Sequence, residues 1–288
     1  MRLWIVALVV AGACARAQSP VMPAPMTRTT FTNAQGSREL VVFTPSSLPS
    51  KPEARAMVVM LHGCAQTADD LARGTRMNAV AERERFIVVY PEQPASANPQ
   101  KCWNWFLPDN VVRDKGETAL LAGLIDSVAR AHGVGRVSVV GMSAGAAMAE
   151  NLAVAYPERY AALALHSGIP AFAATDVMGA LTAMRQGATD GDALGAAALA
   201  AMGSRARPIP VIALHGSDDK IVSPNNLEAT VRQWRVVNAG GASVEKVVLD
   251  GVGHAWSGGS AEGTFTAPTG PDATEMIVAF LKRVKAIG

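Results

Sequence analysis

The chain has 288 residues, enough for one large α/β domain with a substantial core. Aromatics make up only 5%, so Ala, Val, Leu and Met must supply the packing. With a formal net charge of +2 and no basic cluster, a polyanionic partner such as nucleic acid is excluded.

The N-terminus reads as a secretory signal peptide over residues 1–17. Arg2 is a minimal positive region, Leu3 to Ala13 is apolar, and Ala15-Arg16-Ala17 fits an A-x-A cleavage site. The apolar run is too short to span a bilayer, so no membrane span is expected. A lipid anchor at Cys14 ranks second, because Ala11 stands where Leu is usual. Cleavage removes Arg2 and Arg16, which takes Lys+Arg from 26 to 24 against 24 Asp+Glu and leaves a formally neutral mature chain. Of three cysteines, Cys64 and Cys102 remain, an even pair in an exported, secreted or periplasmic protein.

Past a Pro-rich arm at Ser19 to Met26, Arg28 to Phe31 and Arg38 to Phe43 predict a hairpin around Asn33 to Gly36. Pro45 to Pro52 is a linker. Met57 to Leu61 is a continuous apolar run, as expected of a strand covered on both faces. Ala68 to Arg85 carries a helical pattern, Phe86 to Tyr90 is a strand, and Pro91 to Pro108 is a loop. Glu117 to Ala131 predicts an amphipathic helix, Val137 to Val140 a strand, Ala146 to Tyr156 a helix and Ala162 to Leu165 a strand. Pro170 to Pro210 breaks this rhythm: two weak helices, expected either as a cap insertion or as cover for one sheet edge. Val211 to Leu214, Asn225 to Val237, Val244 to Leu249 and Ala273 to Ile287 complete the alternation as strand, helix, strand and helix. Strands alternating with helices along one chain predict a single doubly wound, mostly parallel sheet with helices on both faces.

Chemistry concentrates at Gly141-Met142-Ser143-Ala144-Gly145, set between a strand and a helix. In that context Gly-x-Ser-x-Gly is a nucleophile elbow of the α/β-hydrolase fold: the glycines leave room for a tight turn that projects the serine over the end of the sheet. A serine hydroxyl needs a neutral imidazole to take its proton, and the imidazole needs a carboxylate to hold its tautomer. In this fold the partners follow in the order Ser, acid, His. Among five histidines, only His254 lies in a glycine-rich loop after the last strand; His62, His132, His166 and His215 occupy strand or helix ends. The acid belongs on the loop after the preceding strand, where spacing leaves Asp218 and Asp219 as alternatives. The second oxyanion amide is expected at Cys64, in the turn His62-Gly63-Cys64-Ala65-Gln66, opposite the amide of Ala144. Trp103 and Trp105 lie in the loop at the predicted rim, and alternation predicts one ring lining the cleft and the other packing beneath. The chemistry calls for no metal and no cofactor.

Four blocks carry a resemblance. His62 to Gln66, Lys101-Cys102-Trp103-Asn104-Trp105-Phe106, Gly141 to Gly145 and Gly253-His254-Ala255-Trp256-Ser257-Gly258-Gly259 together resemble the polyhydroxybutyrate depolymerase family of esterases, which is similar in turn to feruloyl and acetylxylan esterases. The resemblance implies an ester hydrolase acting on 3-hydroxyalkanoate oligomers or related polyesters, with cell-wall esters as the second reading. It also implies Asp219 as the acid, from the H-G-x-x-D block. Such depolymerases usually add a linker and a polymer-binding domain; their absence before Gly288 shifts the expectation toward soluble or amorphous esters. A disulfide between Cys64 and Cys102 is expected to tie the oxyanion turn to the substrate wall. A reading of another class is a non-catalytic binding protein on a hydrolase scaffold.

Overall fold

The structure, a computed structural model, describes residues 26–288. The expected signal peptide, Cys14 and most of the Pro-rich arm lie outside the described residues. The frame is an eight-stranded sheet in the order β1-β2-β4-β3-β5-β6-β7-β8. Strands β1 (Met26–Asn33) and β2 (Gly36–Phe43) form the expected hairpin, and β2 joins the sheet antiparallel to β4 (Ile87–Glu92). From there β3 (Ala56–Leu61), β5 (Arg136–Met142), β6 (Ala162–His166), β7 (Val211–Gly216) and β8 (Val244–Leu249) are all parallel.

Successive side chains of a strand face opposite ways, and here both directions meet a core. Met57, Val59 and Leu61 belong to one apolar cluster; Val58 and Met60 belong to the other. The first cluster includes helices α3 (Gly116–His132), α4 (Ala144–Ala155) and α7 (Asn225–Val237). The second includes α1 (Ala68–Thr75), α2 (Met77–Glu84) and α8 (Ala273–Arg283). This is the α/β-hydrolase fold. All the parallel strands end at one edge of the sheet. The chain steps from β3 outward to β4 and then crosses back to β5, so the order reverses between β3 and β5 and opens a crevice there.

Two expectations change. The helical pattern over Ala68 to Arg85 is two helices, because Arg76 takes the left-handed conformation at φ 55°. Its guanidinium reaches across to Asp272 at 3.0 Å, at the N-cap of α8. The closing helix ends at Arg283, four residues short of the predicted Ile287. In the stretch Pro170 to Pro210, α5 (Val177–Gln186) and α6 (Gly191–Met202) form the two expected helices. Helix α6 packs on α7 and α4, while α5 is tied to the loop after β7 by Ser223 N–H donating to Met184 O at 2.7 Å.

Candidate active site

Ser143 sits where β5 meets α4, with φ 56° and ψ −123°, a conformation that costs a non-glycine residue free energy and marks a constrained turn. The flanking glycines explain how the turn fits. A Cβ on Gly141 would lie 2.2 Å from the carbonyl oxygen of Gly145, and one on Gly145 would lie 2.1 Å from that of Leu61. The start of α4 therefore packs directly against the end of β3. Ser143 N–H donates to His166 O at 2.8 Å, which locks the elbow to β6. The turn after β3 comes equally close: a Cβ on Gly63 would sit 3.3 Å from Ser143 Cβ.

That turn is held from four sides. Gly63 N–H donates to Gln66 Oε1 at 2.9 Å, and Ala65 N–H donates to Gln100 O at 2.7 Å. Gln66 Nε2 donates to Thr264 O at 2.9 Å, bringing the loop of Phe265 alongside. Cys64 is bonded to Cys102, with their Cα atoms 4.2 Å apart. Among the described residues, the backbone N–H groups of Cys64 and Ala144 are left without a protein acceptor. Two free amides beside a serine at the N-terminus of a helix make a site for developing negative charge.

His254, on the loop after β8, donates from Nδ1 to Asp219 Oδ2 at 2.7 Å. With the proton on Nδ1, the Nε2 lone pair is available. Asp219 is 3% exposed, and its Oδ1 accepts from the amides of Ile221 at 2.9 Å and Val222 at 2.8 Å. Burial by itself would raise its carboxyl; the hydrogen bonds from His215 and His254 outweigh it and hold the group well below the usual carboxylate range. Asp218 is exposed to solvent, so geometry separates the two aspartates that spacing left open. Ser143 and His254 line one cleft of about 120 Å³, together with Gly63, Cys64, Met142, Met184, Ile221 and Phe265.

The tryptophan expectation is corrected. Neither Trp103 nor Trp105 lines the cleft; they are 0% and 5% exposed and belong to the core. The segment is a loop, so strand alternation does not govern it. Trp103 Nε1 donates to His62 O at 3.0 Å, which places the indole beneath the turn after β3 as a support. The apolar wall comes instead from Met184, Ile221 and Phe265, on three segments distant in sequence. Composition and motifs carry no signal for these residues, since only the packing of α5 and of the loops after β7 and β8 brings them together.

Two other histidines, His62 and His166, have structural partners. His62 is buried, donating from Nδ1 to Gly63 O at 2.7 Å and accepting Gln93 N–H at Nε2 at 3.0 Å; burial pushes its ring down. His166 stacks on Trp256 with centroids 5.0 Å apart, and burial, with His215 and His254 nearby, pushes it down to about 3.

The family described as Esterase PHB depolymerase matches residues 43–245. The chain belongs to the PHB depolymerase esterase family. Poly(3-hydroxyalkanoate) depolymerase C of Paucimonas lemoignei is 34% identical over 208 residues, covering 71% of this chain and 49% of that protein. The probable acetylxylan esterase A of Aspergillus fumigatus is 28% identical over 216 residues, covering 72% of this chain and 57% of that protein. The chain thus spans about half the length of these two relatives. The structure of the acetyl xylan esterase from Aspergillus awamori superposes with a TM-score of 0.67 at 22% identity, covering 80% of this chain and 94% of that one, and shares the fold.

Proposed function

We propose that this family member is a serine ester hydrolase working through an acyl-enzyme. The observation that carries the reading is the Asp219–His254 hydrogen bond at 2.7 Å, with His254 and Ser143 facing the same cleft. His254 Nε2 takes the Ser143 proton as the hydroxyl attacks the ester carbonyl. The N–H groups of Cys64 and Ala144 stabilise the oxyanion, each contributing roughly 3 kcal/mol to the transition state. His254 then gives its proton to the leaving alcohol, and a water activated by the same ring frees Ser143. Asp219 stays ionised throughout and stabilises the imidazolium.

The substrate class is a short 3-hydroxyalkanoate ester or oligomer. Supporting it are the depolymerase relative and the apolar wall of Met184, Ile221 and Phe265, which suits an aliphatic acyl group with few polar contacts. Acetylated or feruloylated sugars are the second reading, favoured by the acetylxylan esterase relatives and by the small volume of the cleft. The Cys64–Cys102 bond favours an oxidising compartment outside the cytosol, in line with a signal peptide over residues 1–17. Hydrolysis rates on hydroxybutyrate oligomers, acetylated xylan oligomers and methyl ferulate test the substrate reading. Highest kcat/KM on the hydroxybutyrate series supports it, and highest kcat/KM on either sugar-ester class replaces it.

A further inference from the structure

Asp219 carries a second imidazole. His215, one residue before the end of β7, is buried, and its Nε2 lies 3.2 Å from Asp219 Oδ2 and 3.0 Å from Val222 O. Both neighbours are acceptors, so Nε2 holds the proton; it is hydrogen-bonded to Val222 O and lies against Asp219 Oδ2 at ion-pair distance. The oxygen it meets, Oδ2, is the one that receives His254 Nδ1–H. Oδ1 meanwhile accepts the amides of Ile221 and Val222. Of the four donors on this carboxylate, three sit in loops; His215 alone stands on a strand of the sheet, paired on one side with β6 and on the other with β8.

We propose that His215 is a positioning residue, whose Nε2–H anchors Asp219 Oδ2 to the sheet so that the carboxylate holds His254 with Nε2 toward Ser143. The proposal rests on the triad reading above. A histidine that merely fills the core would be content with Val222 O. The additional approach to Oδ2 holds the oxygen that His254 uses against the sheet. Without it, the carboxylate turns more freely and His254 loses its alignment toward Ser143. The titratable groups around this cluster are His166 at the end of β6, His215, Asp219 and His254. Asp218, Lys220 and Asp250 on the neighbouring loops are exposed.

The test is steady-state hydrolysis of p-nitrophenyl acetate across pH by wild type, S143A, H215F and H215Q, with circular dichroism on each. In H215F, kcat falls about 10- to 100-fold with KM unchanged, as for a misaligned catalytic group. H215Q, whose amide can reach Oδ2, recovers most of kcat. If H215F does not fold, H215N takes its place, being too short to reach Oδ2. A folded H215F or H215N whose kcat equals that of wild type overturns the proposal, as does an H215Q no better than either. S143A separates the two claims. Wild-type activity in S143A defeats the triad reading itself; activity lost in S143A with wild-type kcat in the position-215 variants defeats only this one.

Discussion

Cys64 and Cys102 are joined by a disulfide that closes the turn after β3 onto the loop carrying Trp103. Cys64 contributes a candidate oxyanion amide, and Trp103 supports the same turn through its bond to His62 O. The bond and the indole therefore hold one short segment from two directions. A loop closed over a separation of 38 residues stabilises by about 4 kcal/mol in the chain-entropy model. Cys102→Ser is expected to lower the thermal midpoint and to lower kcat together, and a reductant is expected to do the same to wild type. Thermal melts and esterase rates with and without dithiothreitol measure both. Equal stability and rate under the two conditions would remove the disulfide from the account.

Asp219 and Asp218 offer a matched pair of substitutions one residue apart. Asp219 is buried under four donors, whereas Asp218 is exposed. Asp219→Asn is expected to cut kcat by about 10⁴-fold through the wrong imidazole tautomer. Asp218→Asn is expected to change it little. Rates of the two purified variants decide between the residues, and a crippled Asp218→Asn would move the acid by one position.

His166 makes stability depend on pH above the carboxylate range. Burial holds its ring down to about 3, against 6.5 for the group in the unfolded chain. Between those values the unfolded chain binds the extra proton, so stability is lost as pH falls from about 6.5 toward 3. His166→Phe keeps the stack on Trp256 and removes the titration. Thermal midpoints between pH 7 and 4.5 should fall less in this variant than in wild type; parallel curves would contradict the assignment.

Glu150 acts in the opposite sense. It is a fully buried carboxyl on α4, bonded by Trp234 Nε1 at 3.1 Å, Ala171 N–H at 3.3 Å and Thr230 Oγ1 at 3.4 Å. Burial raises it to about 8, with those hydrogen bonds pulling the other way. The folded state then binds more protons between about 4.5 and 8, and stability is lost as pH rises through that window. Glu150→Gln is expected to gain on the order of 2 kcal/mol over wild type at pH 8 and little at pH 5. Denaturant unfolding at the two pH values reads the difference, and equal gains at both would show that Glu150 is ionised throughout.

The frame was legible in the sequence because β3, β4, β6 and β7 are covered on both faces and carry apolar runs of four residues or more. The elbow was legible because only glycine fits at 141 and 145. Three features were not. The break at Arg76 goes with a left-handed backbone there, and its side chain pairs with Asp272, far along the chain. The tryptophans were placed by strand alternation in a segment that is a loop. His215 reads as an ordinary strand-end histidine until the loop after β7 folds back and sets Asp219 against it. In each case the deciding partner lies outside the local pattern.

The central claim is that Ser143 is the nucleophile that forms the acyl-enzyme. A fluorophosphonate bonds covalently to an activated serine, and peptide mapping by mass spectrometry locates the adduct. The account predicts one adduct per chain, on the peptide containing Ser143, lost in Ser143→Ala and formed far more slowly in His254→Ala. An unmodified wild-type protein, or an adduct on any other residue, would contradict it.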